Sequence, residues 1–300
     1  SFSTDIKQEL NKISNLKNKE FVKFELIGYL ITVNTSIISK KNIKFSTESD
    51  YNINRFSRLL SNLDIDHKID IKGKNFNIIT KSLDISKLEF IEIREKDIIL
   101  SDDILEINKE ELMKAIIRGS FLGAGSINNP QNSYHLEIVF SNEINLQIVK
   151  KILTNLNINI KELKNSNRSS LYIKDGEEIA KFLALIGANQ AVMDFENIRI
   201  EKEIRGKVNR IVNCETANLN KTLNAAVEQI NAIKKLQETG EFNKLDDDLK
   251  EVALLRLEYP NMSLAELGKR LRNPIGKSGV NYRLKKILGV FGDGPKKHPK

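Results

Sequence analysis

The strongest constraint on this chain is that it carries one pattern twice. The segment LSNLDI at Leu60–Ile65 returns as LTNLNI at Leu153–Ile158, 93 residues later, with flanking matches at offsets of 90 to 95. The first copy contains FELIGYLITVNTSII from Phe24 and the second MKAIIRGSFLGAGSI from Met113. Each copy reads helix, strand, strand, helix, strand, strand, helix. The middle helices show apolar residues at helical spacing: Phe56, Leu59, Leu60 and Leu63 in one, Ile148, Val149, Ile152, Leu153 and Leu156 in the other. The hairpins that follow turn at Gly73-Lys74-Asn75 and at Asn165–Asn167. A duplicated unit of this size packs as a pseudo-twofold pair, which sets the class as α+β.

The division along the chain follows. Residues 1–105 form the first half, starting with a helix behind Ser3 or Thr4, and residues 106–205 form the second. Residues 206–240 are a linker strand and helix. Across the boundary into this region, Phe195–Val212 reads as a charged, partly extended connection. Thr216–Gln237 then has apolar residues at Leu219, Leu223, Val227, Ile230 and Leu236, an amphipathic helix that Gly240 ends. Residues 241–300 are a C-terminal, all-α module.

Charge locates the functional end. Residues 261–300 hold ten Lys and Arg against Glu266 and Asp293, a balance of +8, which equals the net charge of the whole chain. The first 260 residues are therefore neutral. A neutral body with its entire excess charge in one module points to a local polyanion site, and double-stranded DNA is the leading candidate. No run approaches the ~20 apolar residues of a membrane span. The single Cys214 excludes an internal disulfide framework and suits a reducing cytoplasm. Cys214 itself reads as a small buried hydrophobe. His67, His135 and His298 are scattered and make no metal-ligand cluster, so no metal, cofactor or catalytic residue is expected.

The C-terminal module reads as three helices. Asp246–Asp248 place acidic residues at the first helix's N-terminus, and LKEVALLRLEY stops at Tyr259, the residue before Pro260. Ser263-Leu264-Ala265-Glu266 is a capping box opening the second helix. Asn273–Gly276 breaks that helix, and Ser278 is expected to cap the third, with Val280, Leu284, Ile287 and Leu288 on its core face. The turn between the second and third helices spans about seven residues, longer than the three or four of a minimal helix-turn-helix. On the third helix, Ser278, Gly279, Asn281 and Tyr282 form the first turn, from which recognition helices read base edges. Gly279 leaves room for close approach, and Asn281 has the geometry to read adenine. Lys269, Arg270, Arg272, Lys277, Arg283, Lys285 and Lys286 are the expected phosphate contacts.

The segment RGSFLGAGSINNPQNSYHLEI from Arg118 resembles the signature helix of LAGLIDADG homing endonucleases. Together with VNRIVNCETANLNKTLNAAVEQI from Val208 and GKSGVNYRLKKI from Gly276, it is similar to the WhiA family of bacterial regulators over nearly the whole chain. The resemblance implies a duplicated LAGLIDADG-type αββαββα domain that has degenerated. It also implies a helix-turn-helix similar to the promoter-reading domain of sigma factors. The implied role is a transcriptional regulator of cell division and chromosome segregation, and of sporulation in spore formers. Promoter DNA, RNA polymerase or its sigma factor, and division proteins are the implied partners. The implied location is the cytoplasm, on the nucleoid.

A LAGLIDADG nuclease needs an acidic residue near the C-terminal end of each signature helix, because the two carboxylates hold the divalent metals that activate water. Aligned on that pattern, GAGSI puts Ala124 in one slot and VNTSI puts Asn34, or Val33 after a one-residue slip, in the other. Neither slot holds a carboxylate. Glu143 and Asp103 are the available substitutes, with no positional argument behind them. Gly119, Gly123 and Gly125 read as packing residues. Lys72, Lys74, Lys161, Lys164 and Arg168 lie at the predicted hairpins, as one basic face or an ordinary solvated sheet edge. The amides of Asn213–Lys221 read as a cap or dock for the linker helix, with an interdomain latch as the alternative. The competing functions are a metal-dependent DNA endonuclease and a DNA-associated scaffold for division proteins.

Overall fold

Both copies of the repeat fold in the order read from the sequence. The computed structural model describes residues 1–14, 16–47 and 49–289. They divide into two units, Ser1–Ile204 and Arg205–Lys300. The first unit opens with α1 (Phe2–Asn11), capped by Ser1 rather than by Ser3 or Thr4. The first copy then runs α2 (Lys19–Leu30), β1 (Asn34–Ser39), β2 (Asn42–Thr47), α3 (Asp50–Asn62), β3 (His67–Lys72), β4 (Asn75–Lys81) and α4 (Ser82–Ser86). A hairpin outside the repeat follows, β5 (Ile91–Arg94) and β6 (Asp97–Leu100). The second copy is α5 (Glu110–Ala124), β7 (Gly125–Ile127), β8 (Leu136–Phe140), α6 (Glu143–Asn155), β9 (Lys161–Lys164), β10 (Ser169–Ile173) and α7 (Gly176–Leu185). The two four-stranded antiparallel sheets have the same order, β1-β2-β4-β3 and β7-β8-β10-β9. Gly73, at φ 63°, makes the β3–β4 turn, as its position between Lys72 and Lys74 predicts.

Two glycines bring α2 and α5 together at the junction of the copies. A Cβ on Gly28 would lie 2.0 Å from the Ile116 carbonyl oxygen, and one on Gly119 would lie 1.9 Å from the Glu25 carbonyl oxygen. The contact is reciprocal, as a pseudo-twofold axis requires, and it is backbone against backbone. Gly123 extends it, since a Cβ there would meet Thr32 Oγ1 at 2.1 Å. At Gly125 the obstruction is the Phe121 ring, 2.3 Å away. Around this seam lies one continuous core from both copies, including Phe45, Phe56, Ile78, Phe121, Phe140 and Phe182.

A buried charge cluster crosses the same seam. Glu25 is 2% exposed and accepts two 3.0 Å hydrogen bonds from Arg55 Nη2, which is itself fully buried. Arg55 also donates to the carbonyls of Asn11 and Ile13, and Arg118 approaches Glu25 at 3.6 Å while donating to the Ile186 carbonyl. Charges this deep are tolerated only when fully paired and hydrogen-bonded. Removing one partner leaves an uncompensated ion and costs about 3–5 kcal/mol. Nearby, Tyr29 donates to Asn52, and burial followed by the Glu25 charge raises its phenol well above the usual range.

The second unit shows the largest departure from the sequence reading. Phe195–Val212 is helical, part of α8 (Asn189–Thr239), and no strand intervenes. Its apolar residues Ile200, Ile204, Val208 and Ile211 do recur at helical spacing, but they are exposed rather than packed, and charged residues fill the positions between them. It does contain helix-forming residues and local pairs such as Arg199–Glu196 at 2.7 Å. Glu9 caps α8, its carboxylate accepting from the amides of Gln190 and Ala191 at 2.7 and 3.0 Å. Residues 207–225 are all exposed and Asn213–Lys221 lies inside α8, so it does not cap the helix, and Cys214 is not the buried hydrophobe expected. Gly240, at φ 77°, ends α8 as its position predicts. The last turns of α8 supply Ile233 and Leu236 to the second core, which they share with α9 (Asp247–Glu258), α10 (Leu264–Arg270) and α11 (Lys277–Gly289). Among the described residues no helix is long and apolar enough to cross a membrane.

The seam sets a sharp stability expectation. Gly28→Ala or Gly119→Ala forces the two helix backbones apart and is expected to cost more than about 3 kcal/mol, read as a large drop in the unfolding midpoint. A midpoint within a degree or two of the parent would show that the seam can open without loss. A second expectation concerns Lys7, whose amine burial pulls down from 10.5 to about 8. Between those values the unfolded chain binds the proton more tightly than the folded one, so this group's contribution rises with pH from about 8 to 10.5 and is least favourable below 8. Lys7→Met is expected to raise stability at pH 7 by about 1–3 kcal/mol and to flatten that rise in denaturant titrations across pH.

Candidate nucleic-acid interface

The three helices of the C-terminal module are held by local devices that the sequence only partly announces. Asp246 precedes α9, which ends at Glu258 with Tyr259 as its C-cap. Arg256 is buried and ties down the following turn, donating to the carbonyls of Tyr259, Pro260 and Met262. Burial pulls its guanidinium below the usual arginine range. The capping box of α10 is complete. Glu266 N donates to Ser263 Oγ at 3.3 Å and Ser263 N donates to Glu266 at 3.2 Å. Those bonds hold the Glu266 carboxyl below its ordinary value.

The connection from α10 to α11 covers residues 271–276 and is anchored at both ends. Arg272 N donates to Glu251 of α9 at 2.6 Å, and Ile275 N donates to the Gly268 carbonyl at 3.2 Å. A Cβ on Gly268 would stand 2.2 Å from the Ile275 carbonyl oxygen, so only glycine permits this return. A Cβ on Gly279 would meet Ile275 Cδ1 at 3.0 Å. The small residue at 279 therefore has a packing reason, whereas the sequence reading gave it a role in approach to DNA. Ser278 is also reassigned. Because α11 begins at Lys277, Ser278 lies inside its first turn instead of capping it, and Val280 N donates to the Gly276 carbonyl.

Most of the expected contact residues are exposed on α10, on α11 and in the connection between them. Val280, Leu284 and Ile287 are buried, which turns the intervening positions outward. Lys269, Arg270, Arg272, Lys277, Lys285 and Lys286 are exposed, Tyr282 is 61% exposed, and Asn281 is half-buried. Arg270 lies over the Tyr259 ring at 4.4 Å, and Lys286 over Tyr282 at 5.0 Å. Both contacts orient a cation without neutralising it. Arg283 differs from the rest. It is held 3.5 Å from Asp248 and its side chain is only 20% exposed, so part of its charge is already answered by α9. Sequence reasoning assigned Asp248 only to the helix dipole. The pairing was invisible because it spans 35 residues. The basic residues after 289, with His298, lie outside the described residues.

The first unit tests the other candidates. Ala124 ends α5 and Asn34 begins β1, and both line one cavity of about 540 Å³ at the C-terminal ends of α2 and α5. The sequence alignment of the two slots thus corresponds to a shared location. Asp97 is the carboxylate among its lining residues. Neither Glu143 nor Asp103 reaches it, since Glu143 is paired with Lys164 at 3.1 Å and Asp103 sits in the short helix Asp102–Glu106. The hairpin cations differ in their surroundings. Lys164 is taken by Glu143, Lys72 lies 3.7 Å from Asp70, and Arg168 lines the cavity.

Comparison with known proteins covers both units. Residues 208–290 match the WhiA C-terminal HTH domain, and residues 113–205 match the WhiA LAGLIDADG-like domain. The chain is 39% identical to the "Probable cell division protein WhiA" of Clostridium perfringens (strain SM101 / Type A), over 96% of each chain. In structure it is similar to full-length DUF199/WhiA from Thermatoga maritima, with a TM-score of 0.61, 31% identity and coverage of 98% and 99%. It is also similar to an isolated N-terminal LAGLIDADG domain of DUF199/WhiA, with a TM-score of 0.50 and 28% identity, covering 62% of this chain and 92% of that one.

Proposed function

The chain belongs to the WhiA family, and on that premise we propose that it is a sequence-specific DNA-binding regulator serving cell division. The carrying observation is the exposure of six Lys and Arg on α10, α11 and the connection between them. The cations set affinity by displacing condensed counterions from phosphate. Ser278, Asn281 and Tyr282 are the proposed base readers, since the N-terminal part of such a helix approaches base edges most closely. Arg283 acts chiefly as a structural tie to Asp248 and contributes less to phosphate binding than its neighbours. Promoters are the proposed targets. RNA polymerase or division proteins are the proposed further partners, with chromosome segregation and sporulation as the processes served.

The nuclease-like unit is proposed to be catalytically silent. Ala124 has no oxygen for a metal, and the neutral amide of Asn34 is a poor ligand compared with carboxylate. Without that pair, Asp97 is the one carboxylate among the described residues lining the cavity, short of the two that hold the ions activating water.

Charge reversal tests the DNA reading. Lys285→Glu/Lys286→Glu is expected to weaken promoter binding at least about tenfold and to shrink the log–log salt slope by roughly 2. Footprints unchanged by that variant and by deletion of residues 241–300 would sink it. Supercoiled plasmid incubated with the full chain and Mg²⁺ or Mn²⁺ is expected to stay uncut, and metal-dependent cleavage abolished by Asn34→Ala would overturn the silent assignment.

A further inference from the structure

The cavity at the ends of α2 and α5 has lost the groups that would hold metal, yet it has acquired a different set of polar groups. Lys96 reaches it from the β5–β6 turn and Arg168 from the β9–β10 turn. Among the described residues neither cation has an ion-pair or hydrogen-bond partner for its side chain, and the same holds for Asn34, Ser141 and Asn167. The opposing carboxylate, Asp97, is engaged by Asn142 Nδ2 at 3.2 Å. Five exposed side chains with donor capacity therefore border one opening, none of them partnered among the described residues. The wall between them includes Val33, Ile98 and Phe140, all buried and apolar.

The two ends of this cavity differ in sign. α2 and α5 both terminate at it, and helix C-termini carry partial negative charge and carbonyl acceptors. An anion is disfavoured against those ends and favoured beside Lys96 and Arg168. A ligand that satisfies both must be anionic at one end and hydrogen-bond-donating at the other, with an apolar or aromatic body between. The volume of about 540 Å³ falls in the range of small-molecule sites, about 300–1,000 Å³. We propose that this cavity binds a free nucleotide. Its phosphate lies between Lys96 and Arg168, and the exocyclic amino group of its base faces Asn34 and the helix ends. The former metal position has become a metabolite-binding site. This inference does not depend on which residues of α11 contact DNA.

The test is calorimetric titration of the full chain, without divalent metal, with AMP, CMP, UMP, adenosine and inorganic phosphate. AMP or CMP is expected to bind, with adenosine and phosphate each at least about tenfold weaker because each lacks one of the two recognised ends, and UMP weaker because its ring N3–H replaces the exocyclic amino donor. Lys96→Glu/Arg168→Glu, at two exposed hairpin-turn positions, is expected to weaken nucleotide binding by about tenfold or more and to leave the unliganded unfolding midpoint unchanged. Asn34→Leu is expected to erase the preference for amino-bearing bases. Absence of binding by every mononucleotide, or binding unaffected by the double substitution, overturns the proposal. It is equally overturned if no mononucleotide binds while the double substitution weakens duplex DNA, since the cavity then contacts the backbone of a bound duplex.

Discussion

Two helices that touch through their backbones organise everything in the first unit. At Gly28 and Gly119 there is no room for a methyl group, so the spacing of α2 and α5 is fixed by main-chain atoms rather than by adjustable side chains. That contact places both helix C-termini at one cavity and fixes the two sheets as a related pair. It also explains the buried Glu25. A carboxylate beside so tight a seam cannot reach water, and Arg55 and Arg118 supply the charge that solvent would otherwise provide. The buried ions are a consequence of the close approach, and together the two features make this the part of the molecule least tolerant of change.

Much of this was legible in the chain. The repeat, the turn at Gly73, the capping box at Ser263 and the stop at Tyr259 each rest on chemistry within a few residues, and local chemistry survives folding. Gly119 was legible through the signature pattern, but its partner Gly28 was hidden in FELIGYLI, where an apolar run gives a glycine no distinguishing context. The β5–β6 hairpin escaped because it belongs to neither copy, although Asn142 and Asn145 of the second copy bond to it. Thr216–Gln237 is helical as its apolar spacing predicts, whereas Phe195–Val212 was misread because its charged residues mask an equally helical spacing at Ile200, Ile204, Val208 and Ile211.

The candidate DNA surface divides in the same way. Its cations were countable, and their exposure follows from the buried spacing of Val280, Leu284 and Ile287. The structural meaning of Gly279, Arg283 and Ser278 was not available from spacing. Each depends on a residue brought from elsewhere: Ile275 across the turn, Asp248 from another helix, and the true helix start at Lys277. A motif shows which residue types are present, while tertiary contacts decide which of them are still free to bind something else.

The long helix inverts a familiar rule. Helices ordinarily loosen from their ends, where amides and carbonyls lack partners. In α8 the first turn is bonded to Glu9 and the last turns are locked into the second core, while the side chains of residues 207–225 are all exposed. Local stability along it is therefore lowest in the middle, and amide exchange there runs through brief openings that leave both ends intact. The asparagines of that stretch and Gly206 just before it, all weak helix formers, set how often those openings occur.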